Sequence, residues 1–294
     1  MTGKKTYIVV SPVRNEAKHL PLTIDSMLAQ TIRPVLWVIV NDGSKDETGQ
    51  IAEAAAKSNP WIKVVSRPDR GFRKAGGGVV EAFYAGYRLI EDQAWDYLVK
   101  LDGDLSFSPD YFEKCFARFE EHARLGIAGG TICRVTDGGG GTEPEAKADP
   151  KFHVRGATKI YRSACWDGIG GLIPAPGWDT LDEIKANMLG WETRTLPDLH
   201  VIHHRPTGAA YGTWNDRVKA GLANYISGYH PLFMLLKCAK RTAERPYLIG
   251  GLGLLYGFVK GYLRRIGQVE DKALIRYLRQ QQMNRLLGRK SLWG

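Results

Sequence analysis

Tyr97-Leu98-Val99-Lys100-Leu101-Asp102-Gly103-Asp104 is the stretch that decides the fold. Five residues that read as a buried strand run directly into two carboxylates one residue apart, so a strand tip carries the charge. Three more strand-like runs precede it. Tyr7 to Val10 is closed by Ser11-Pro12, Val35 to Val40 by Asn41-Asp42-Gly43-Ser44, and Ile62 to Val65 is the third. Between them lie helical patterns: Leu20 to Gln30, a helix that Asp46 can cap and that runs through Lys57, and Val79 to Asp92. Strand and helix alternate four times, which predicts a mostly parallel sheet with helices on both faces. Ligands of such sheets bind beyond the carboxyl ends of the strands. Residues just past Val10, Val40 and Leu101 should therefore share one crevice.

Downstream, a helix follows Pro109 to about Glu121, and Ile127 to Val135 is an apolar run. Asp137 to Pro150 reads as a mobile loop with nothing to bury, either a plain connection or a lid. Lys159-Ile160-Tyr161 reads as a strand, Cys165 to Ile169 and Leu181 to Leu189 as helices, and Leu199 to His203 as a strand. The four cysteines are scattered with no CxxC pair, which points away from disulfides or structural zinc and toward a reducing compartment. Met1 to Lys5 leads into a strand and not into a secretory apolar region, so no signal peptide is expected.

The net charge of +10 is not evenly spread. Residues 1–204 carry a net −2, and residues 205–294 carry +12. In that basic third, Leu232 to Leu236 precedes Lys237, Lys240, Arg241 and Arg245, and thirteen uncharged residues, Tyr247 to Val259, precede Lys260, Arg264 and Arg265. A bilayer span needs about 20 apolar residues. Shorter apolar stretches with basic flanks fit interfacial helices drawn to anionic lipid, so residues about 230–290 are expected to meet an anionic membrane surface. The competing reading packs these helices on the catalytic domain or on a second subunit.

Two carboxylates as close as Asp102 and Asp104 repel one another, and a divalent cation, Mg2+ or Mn2+, explains the pair. Such an ion shares its shell with a diphosphate and stabilises the charge that grows as the diphosphate departs. Asp42, at another strand tip, can accept a hydrogen bond from a base N–H, or can simply form an Asx turn. In Arg70-Gly71-Phe72-Arg73-Lys74, the charge of Arg70, Arg73 or Lys74 can meet a diphosphate ahead of a helix N-terminus. The stretch lacks a P-loop ending, and the turn after the first strand lacks Gly-x-Gly-x-x-Gly, which excludes a P-loop NTPase and a Rossmann dehydrogenase. A sugar nucleotidyltransferase would show a glycine-rich basic loop after that strand. A non-enzymatic anionic-polymer or membrane-binding protein would leave the aspartates without purpose, and no nucleic-acid partner is expected.

Ser11-Pro12 with Asn15-Glu16, Asn41-Asp42-Gly43-Ser44 with Asp46 and Thr48, and Asp102-Gly103-Asp104 stand in the order and spacing of the family 2 inverting glycosyltransferases. The chain resembles that family over residues 6–205. The resemblance implies a GT-A fold, with Pro12 and Glu16, and Asn15 in the same loop, lining the nucleoside site. Asp42 would recognise the base, typically uracil. Asp102, with Gly103, would lie near ribose and metal, and Asp104 would bind the metal. It also makes Asp179 in Gly177-Trp178-Asp179 the candidate base that deprotonates the acceptor hydroxyl, although Trp178 stands where the family has Glu. Asp182 and Glu183 are close alternatives, and helix capping would equally explain Asp179. One of His203 and His204 is a candidate third metal ligand. Strand alternation sends them to opposite faces, so only one can reach.

The sequence thus predicts an α/β protein with a single GT-A-type, Rossmann-like nucleotide-sugar-binding domain over 1–225, divided into a donor half (1–105) and an acceptor half (106–225). A helical, basic, amphipathic membrane-associating region follows over 226–294. The expected activity is metal-dependent transfer of a hexosyl or N-acetylhexosaminyl group from a UDP-sugar to an acceptor. A lipid-linked glycan of exopolysaccharide, capsule or envelope synthesis is the expected acceptor. The expected place is the inner face of the cell membrane, on the cytoplasmic side, and assembly into a homo-oligomer is left open.

Overall fold

The structure, a computed structural model of the 294-residue chain, describes residues 5–71, 77–136, 141–146, 149–205, 213–243 and 247–294. Its first half alternates as the pattern requires: β1 (Tyr7–Val13), α1 (Leu20–Leu28), β2 (Leu36–Asp42), α2 (Thr48–Ser58), β3 (Ile62–Arg67), α3 (Gly77–Tyr87) and β4 (Tyr97–Leu101). These four strands pair in parallel in the order β3-β2-β1-β4. Period-two alternation divides their side chains between two cores. Tyr7, Val9, Trp37 and Ile39 pack with α1 and α2 on one face, while Ile8, Val10, Val38 and Val40 pack with α3 on the other. Both faces are covered, which is why these strands are apolar throughout.

The second half is mixed and not parallel. β5 (Leu105–Phe107), α4 (Tyr111–Glu121), β6 (Leu125–Val135), β7 (Thr142–Pro144), β8 (Thr158–Arg162), α5 (Ser163–Ile169), α6 (Trp178–Met188) and β9 (Glu192–His203) follow. The sheet continues β4-β8-β6-β9-β5, with β8 antiparallel to β4 and to β6, and β9 parallel to β6. β9 begins seven residues before the expected strand and runs through Pro197. The ladder breaks there: Leu196 pairs with Gly130 and His200 with Thr131, so the proline, which has no N–H to donate, falls in the irregular segment. The expected mobile loop also needs correction. Residues 142–144 within it pair with β6, and Glu145 is buried beside His203, although 137–140 and 147–148 lie outside the described residues.

The C-terminal helices are α7 (Thr213–Ile226), α8 (Pro231–Thr242), α9 (Ile249–Leu263) and α10 (Lys272–Leu286). They share a third core with Phe152 and with Leu181 and Ile184 of α6. The helical layer starts earlier than expected, because α7 lies along α9. α10 buries Leu274 and Leu278 in that core. All four cysteines are buried and free.

Candidate active site

The loops after β1, β2 and β4 meet at one end of the sheet, and each has a local reason to hold its shape. Asn15 takes a left-handed backbone (φ 53°), a conformation asparagine tolerates. Its Oδ1 accepts from the Lys45 amide at 2.8 Å, and its own amide donates to Ser44 Oγ at 3.0 Å. Asp46 accepts from the Ala17 amide at 3.1 Å and from the Thr48 amide at 3.1 Å, but the expected cap of α2 is not Asp46: Glu47 holds the N-cap position, without a side-chain bond. Asn15, expected at the nucleoside, therefore uses its side chain to lock the first two loops together. Pro12 is half-buried beside Val40. Gly103 is buried, and a Cβ there would come within 2.5 Å of Val13. Its side faces the core, so the main chain alone is left for donor contact, and a larger residue would push Asp102 and Asp104 out of place.

Asp42, the last residue of β2, is buried and held by two guanidinium groups. Arg67 Nη1 lies 2.7 Å from Oδ1, and Arg70 pairs with Oδ2. Arg70 also reaches Glu81 at 3.3 Å, so it serves the Asp42 end of the crevice. Arg14 donates to the Asp42 carbonyl at 2.7 Å and to Asp69 at 2.6 Å. Lys74, the other expected diphosphate ligand, lies outside the described residues. Asp42 and Asp102 end the strands on either side of β1, two strand spacings or about 10 Å apart. That gap suits a nucleotide.

The second end of the crevice is acidic and incompletely satisfied. Asp104 and Glu16 are both buried, and each has one carboxylate oxygen, Oδ1 and Oε2, without a hydrogen-bond partner. Glu16, expected at the nucleoside, lies beside Asp104. Arg205 bridges the pair, bonded to Glu16 and 3.4 Å from Asp104 Oδ2. His203 Nε2 also lies 3.4 Å from Asp104 Oδ2, while its Nδ1 is 2.7 Å from Glu145. Burial and the neighbouring Asp104 push Glu16 up to about 8 despite Arg205. Burial would lower the His203 imidazole, but its bonds to Asp104 and Glu145 outweigh this and raise it to about 9. Burial would raise Asp104, yet His203 and Arg205 hold it below its ordinary value.

Alternation separates the two histidines as expected. His204 turns away to Ser106 Oγ at 2.8 Å and stacks on His19. Its amide donates to the Asp104 carbonyl at 2.9 Å, but its ring Nε2 is taken by Ser106. Asp102 is bonded to Lys100, whose ammonium also reaches the Gly156 carbonyl. Among the described residues no set of three or more His, Cys, Asp or Glu side chains is arranged to hold a metal ion by itself. The orphaned oxygens of Asp104 and Glu16 are nonetheless hard donors, and the other oxygens of the same two carboxylates already hold His203 and Arg205. Such a donor set fits Mg2+ or Mn2+ once a diphosphate supplies further oxygens.

Asp179 sits in the second position of α6, and the helix is capped at Gly177 without a side-chain bond, so Asp179 is not a cap. Its carboxylate is half-exposed beside Gly156, the residue that anchors Lys100. Asp182 and Glu183 are different. Both are fully buried, with Lys159 Nζ 2.8 Å and 2.7 Å away. The Tyr161 hydroxyl donates to Asp182 at 2.6 Å, and His153 reaches Glu183 at 3.0 Å. Burial alone would lower the His153 imidazole, but Glu183 holds it up at about 9. The network is closed to an acceptor and fastens α6, with Asp179 at its open end. Lys159→Met should leave two anions buried with one cationic partner fewer. Removing one partner of such a pair costs about 3–5 kcal/mol, which urea denaturation would read as a lower midpoint.

Sequence reasoning passed over Arg205, Lys100, Arg67 and Glu145. A lysine inside Tyr97-Leu98-Val99-Lys100-Leu101 was a visible anomaly, because buried lysines are rarely left unpaired. Nothing in the sequence marks Glu145.

A parallel first half with acids at its strand tips, continued by a mixed second half that supplies α6 and β9, has the architecture of a GT-A glycosyltransferase. The chain belongs to glycosyl transferase family 2, whose model matches residues 8–169. It is 30% identical over 103 residues to an undecaprenyl-phosphate mannosyltransferase from Micrococcus luteus, covering 35% of this chain and 40% of that one. The curated relatives are matched over less than half of their length, down to 10% for a chondroitin synthase from Pasteurella multocida. Among solved structures, a mannosyltransferase from Pyrobaculum calidifontis in complex with GDP-Man and Mn2+ superposes with a TM-score of 0.57. The identity is 15%, covering 94% of this chain and 79% of that one. A likeness at that identity shows the fold alone.

Proposed function

We propose that this protein is an inverting, divalent-metal-dependent glycosyltransferase that moves a hexosyl or N-acetylhexosaminyl group from a UDP-sugar to a hydroxyl of a lipid-linked glycan. The observation that carries this reading is the orphaned oxygen pair of Asp104 and Glu16, set beside Asp102 and across β1 from Asp42. Buried carboxylate oxygens without partners are costly, and a site that keeps two of them is built for a cation. Asp42 would accept from the base N–H, with Arg67 and Arg70 fixing its plane. Asp102, Asp104 and His203 would hold the metal, which supplies charge stabilisation to the departing diphosphate. Arg205 would turn from Glu16 toward that diphosphate. Asp179 would take the acceptor proton as its oxygen attacks the anomeric carbon from the side opposite the leaving group. The lipid-linked acceptor draws support from the Micrococcus luteus relative, which acts on a polyprenyl phosphate.

A donor screen tests the assignment. With Mn2+ present, a UDP-sugar at a hundred times its dissociation constant should stabilise the protein by about 2.7 kcal/mol, read as a higher melting temperature. The shift should be absent with chelator. Equal shifts from UDP-, GDP- and dTDP-sugars would remove the role given to Asp42, and no shift from any of them would remove the transferase reading.

A further inference from the structure

α9 buries a row of glycines and exposes a row of large apolar side chains. Its sequence, Ile249-Gly-Gly-Leu-Gly-Leu-Leu-Tyr-Gly-Phe-Val-Lys-Gly-Tyr-Leu263, buries Gly250, Gly253, Gly257 and Gly261. A Cβ on Gly257 would fall 2.0 Å from the Val218 carbonyl oxygen, and one on Gly221 equally close to that of Leu254. α7 and α9 therefore touch backbone to backbone, a packing that small residues allow and that lipid-embedded helices favour. Leu254 and Phe258 are buried beside these glycines, and a second set of large side chains is turned outward. Ile249, Leu252, Tyr256, Val259 and Leu263 are 42%, 49%, 55%, 41% and 80% exposed, at spacings of three and four that form a single stripe. The partly exposed Trp214 of α7 lies against Tyr256, with ring centroids 6.2 Å apart. α8, packed on α9, exposes Leu235 and Leu236 as well.

Water alone does not favour this stripe, because five large apolar side chains on one face leave a continuous apolar surface uncovered. The stripe implies an apolar occupant, and charge decides which. Residues 231–265 hold seven Lys or Arg and one acid, and Lys240, Arg264 and Arg265 are exposed beside the stripe. A second copy would set basic rims against each other, whereas anionic headgroups would neutralise them. Among the described residues no helix is long and apolar enough to cross a membrane, so the mode is lying in the interface.

We infer that the outward face of α9, with Trp214 and its basic rim, docks the protein on an anionic phospholipid surface. The expected membrane region narrows accordingly, because α10 packs inward. The face is also attached to the acceptor side of the site. Gly177, two residues before Asp179, packs against Ser227, just beyond α7. Vesicle binding needs no donor, metal or acceptor, so this inference and the transferase reading can fail separately.

The test is co-sedimentation of the full chain with phosphatidylcholine vesicles, with and without about one-third phosphatidylglycerol, at physiological salt. Binding should require the anionic lipid. Leu252→Glu combined with Leu263→Glu should weaken it at least about tenfold. Lys240→Glu combined with Arg264→Glu should weaken it about thirtyfold. All four positions are exposed, so the melting temperature should not change. Equal binding to both vesicle types, or wild-type binding by both variants, would overturn the inference. So would a wild-type dimer that ignores vesicles and that the leucine variant splits.

Discussion

Asp104→Ala is expected to abolish metal-dependent donor turnover while the protein stays folded. In the native site the Asp104 carboxylate is buried, bears one oxygen without a partner, and is flanked by His203 and Arg205 at 3.4 Å. If those groups gather around a cation, removing Asp104 takes away the one ligand that no neighbour can replace. Asp102 is turned to Lys100, and Glu16 to Arg205. Metal stabilisation of a departing diphosphate amounts to several kcal/mol, so the expected loss is about a thousandfold or more in turnover number. Manganese binding, followed by calorimetry with UDP present, should weaken in parallel. Stability should change little, because the substitution also removes a like charge from beside Glu16. Full turnover in this variant would refute the metal assignment, and loss of the folded transition would show that Asp104 is needed structurally.

The parts of the molecule that were legible in sequence are those governed by local pattern. β1, β2 and β4 are buried on both faces and read as unbroken apolar runs, and the loops that end them carry the acids. Their convergence follows from the parallel topology, which places every strand tip at one end. What escaped notice depends on contacts between distant segments. Glu145 lies in a polar loop indistinguishable from solvent-exposed chain, and it is buried because β7 returns it to His203. The family resemblance implies a place at the nucleoside for Glu16, and nothing in the sequence shows its long-range partners. The arrival of β9 from nearly two hundred residues away brings Arg205 to it and ties it to Asp104. Asp182 and Glu183 read as possible bases because a helix pattern gives no depth; Lys159 and Tyr161 on β8 show them to be an anchored interior pair. The glycines of α9 were counted as part of an uncharged run. Only packing against α7 reveals that they face inward, beside Leu254 and Phe258, while Leu252 and Leu263 face out.

Asp179→Asn should separate catalysis from binding. The amide keeps the size and shape of the side chain, and Gly177, not Asp179, caps α6, so the helix has no reason to shift. The buried Lys159 network below it is untouched, because Lys159 meets Asp179 through its main-chain carbonyl. What the substitution removes is the ability to accept a proton from an acceptor hydroxyl. Loss of a general base lowers turnover typically by about 10² to 10⁴. Donor affinity, set across β1 by Asp42 and the acid pair, should stay within about twofold, since the two sites share no hydrogen bond. The readout is the turnover number with acceptor beside donor dissociation measured without it. Asp182→Asn is the contrasting variant: it should lower the urea midpoint, because Lys159 and Tyr161 lose a buried anionic partner. A turnover loss in D179N matched by an equal loss of donor affinity would assign Asp179 to holding the donor. Undiminished turnover would leave the acceptor proton to some other group.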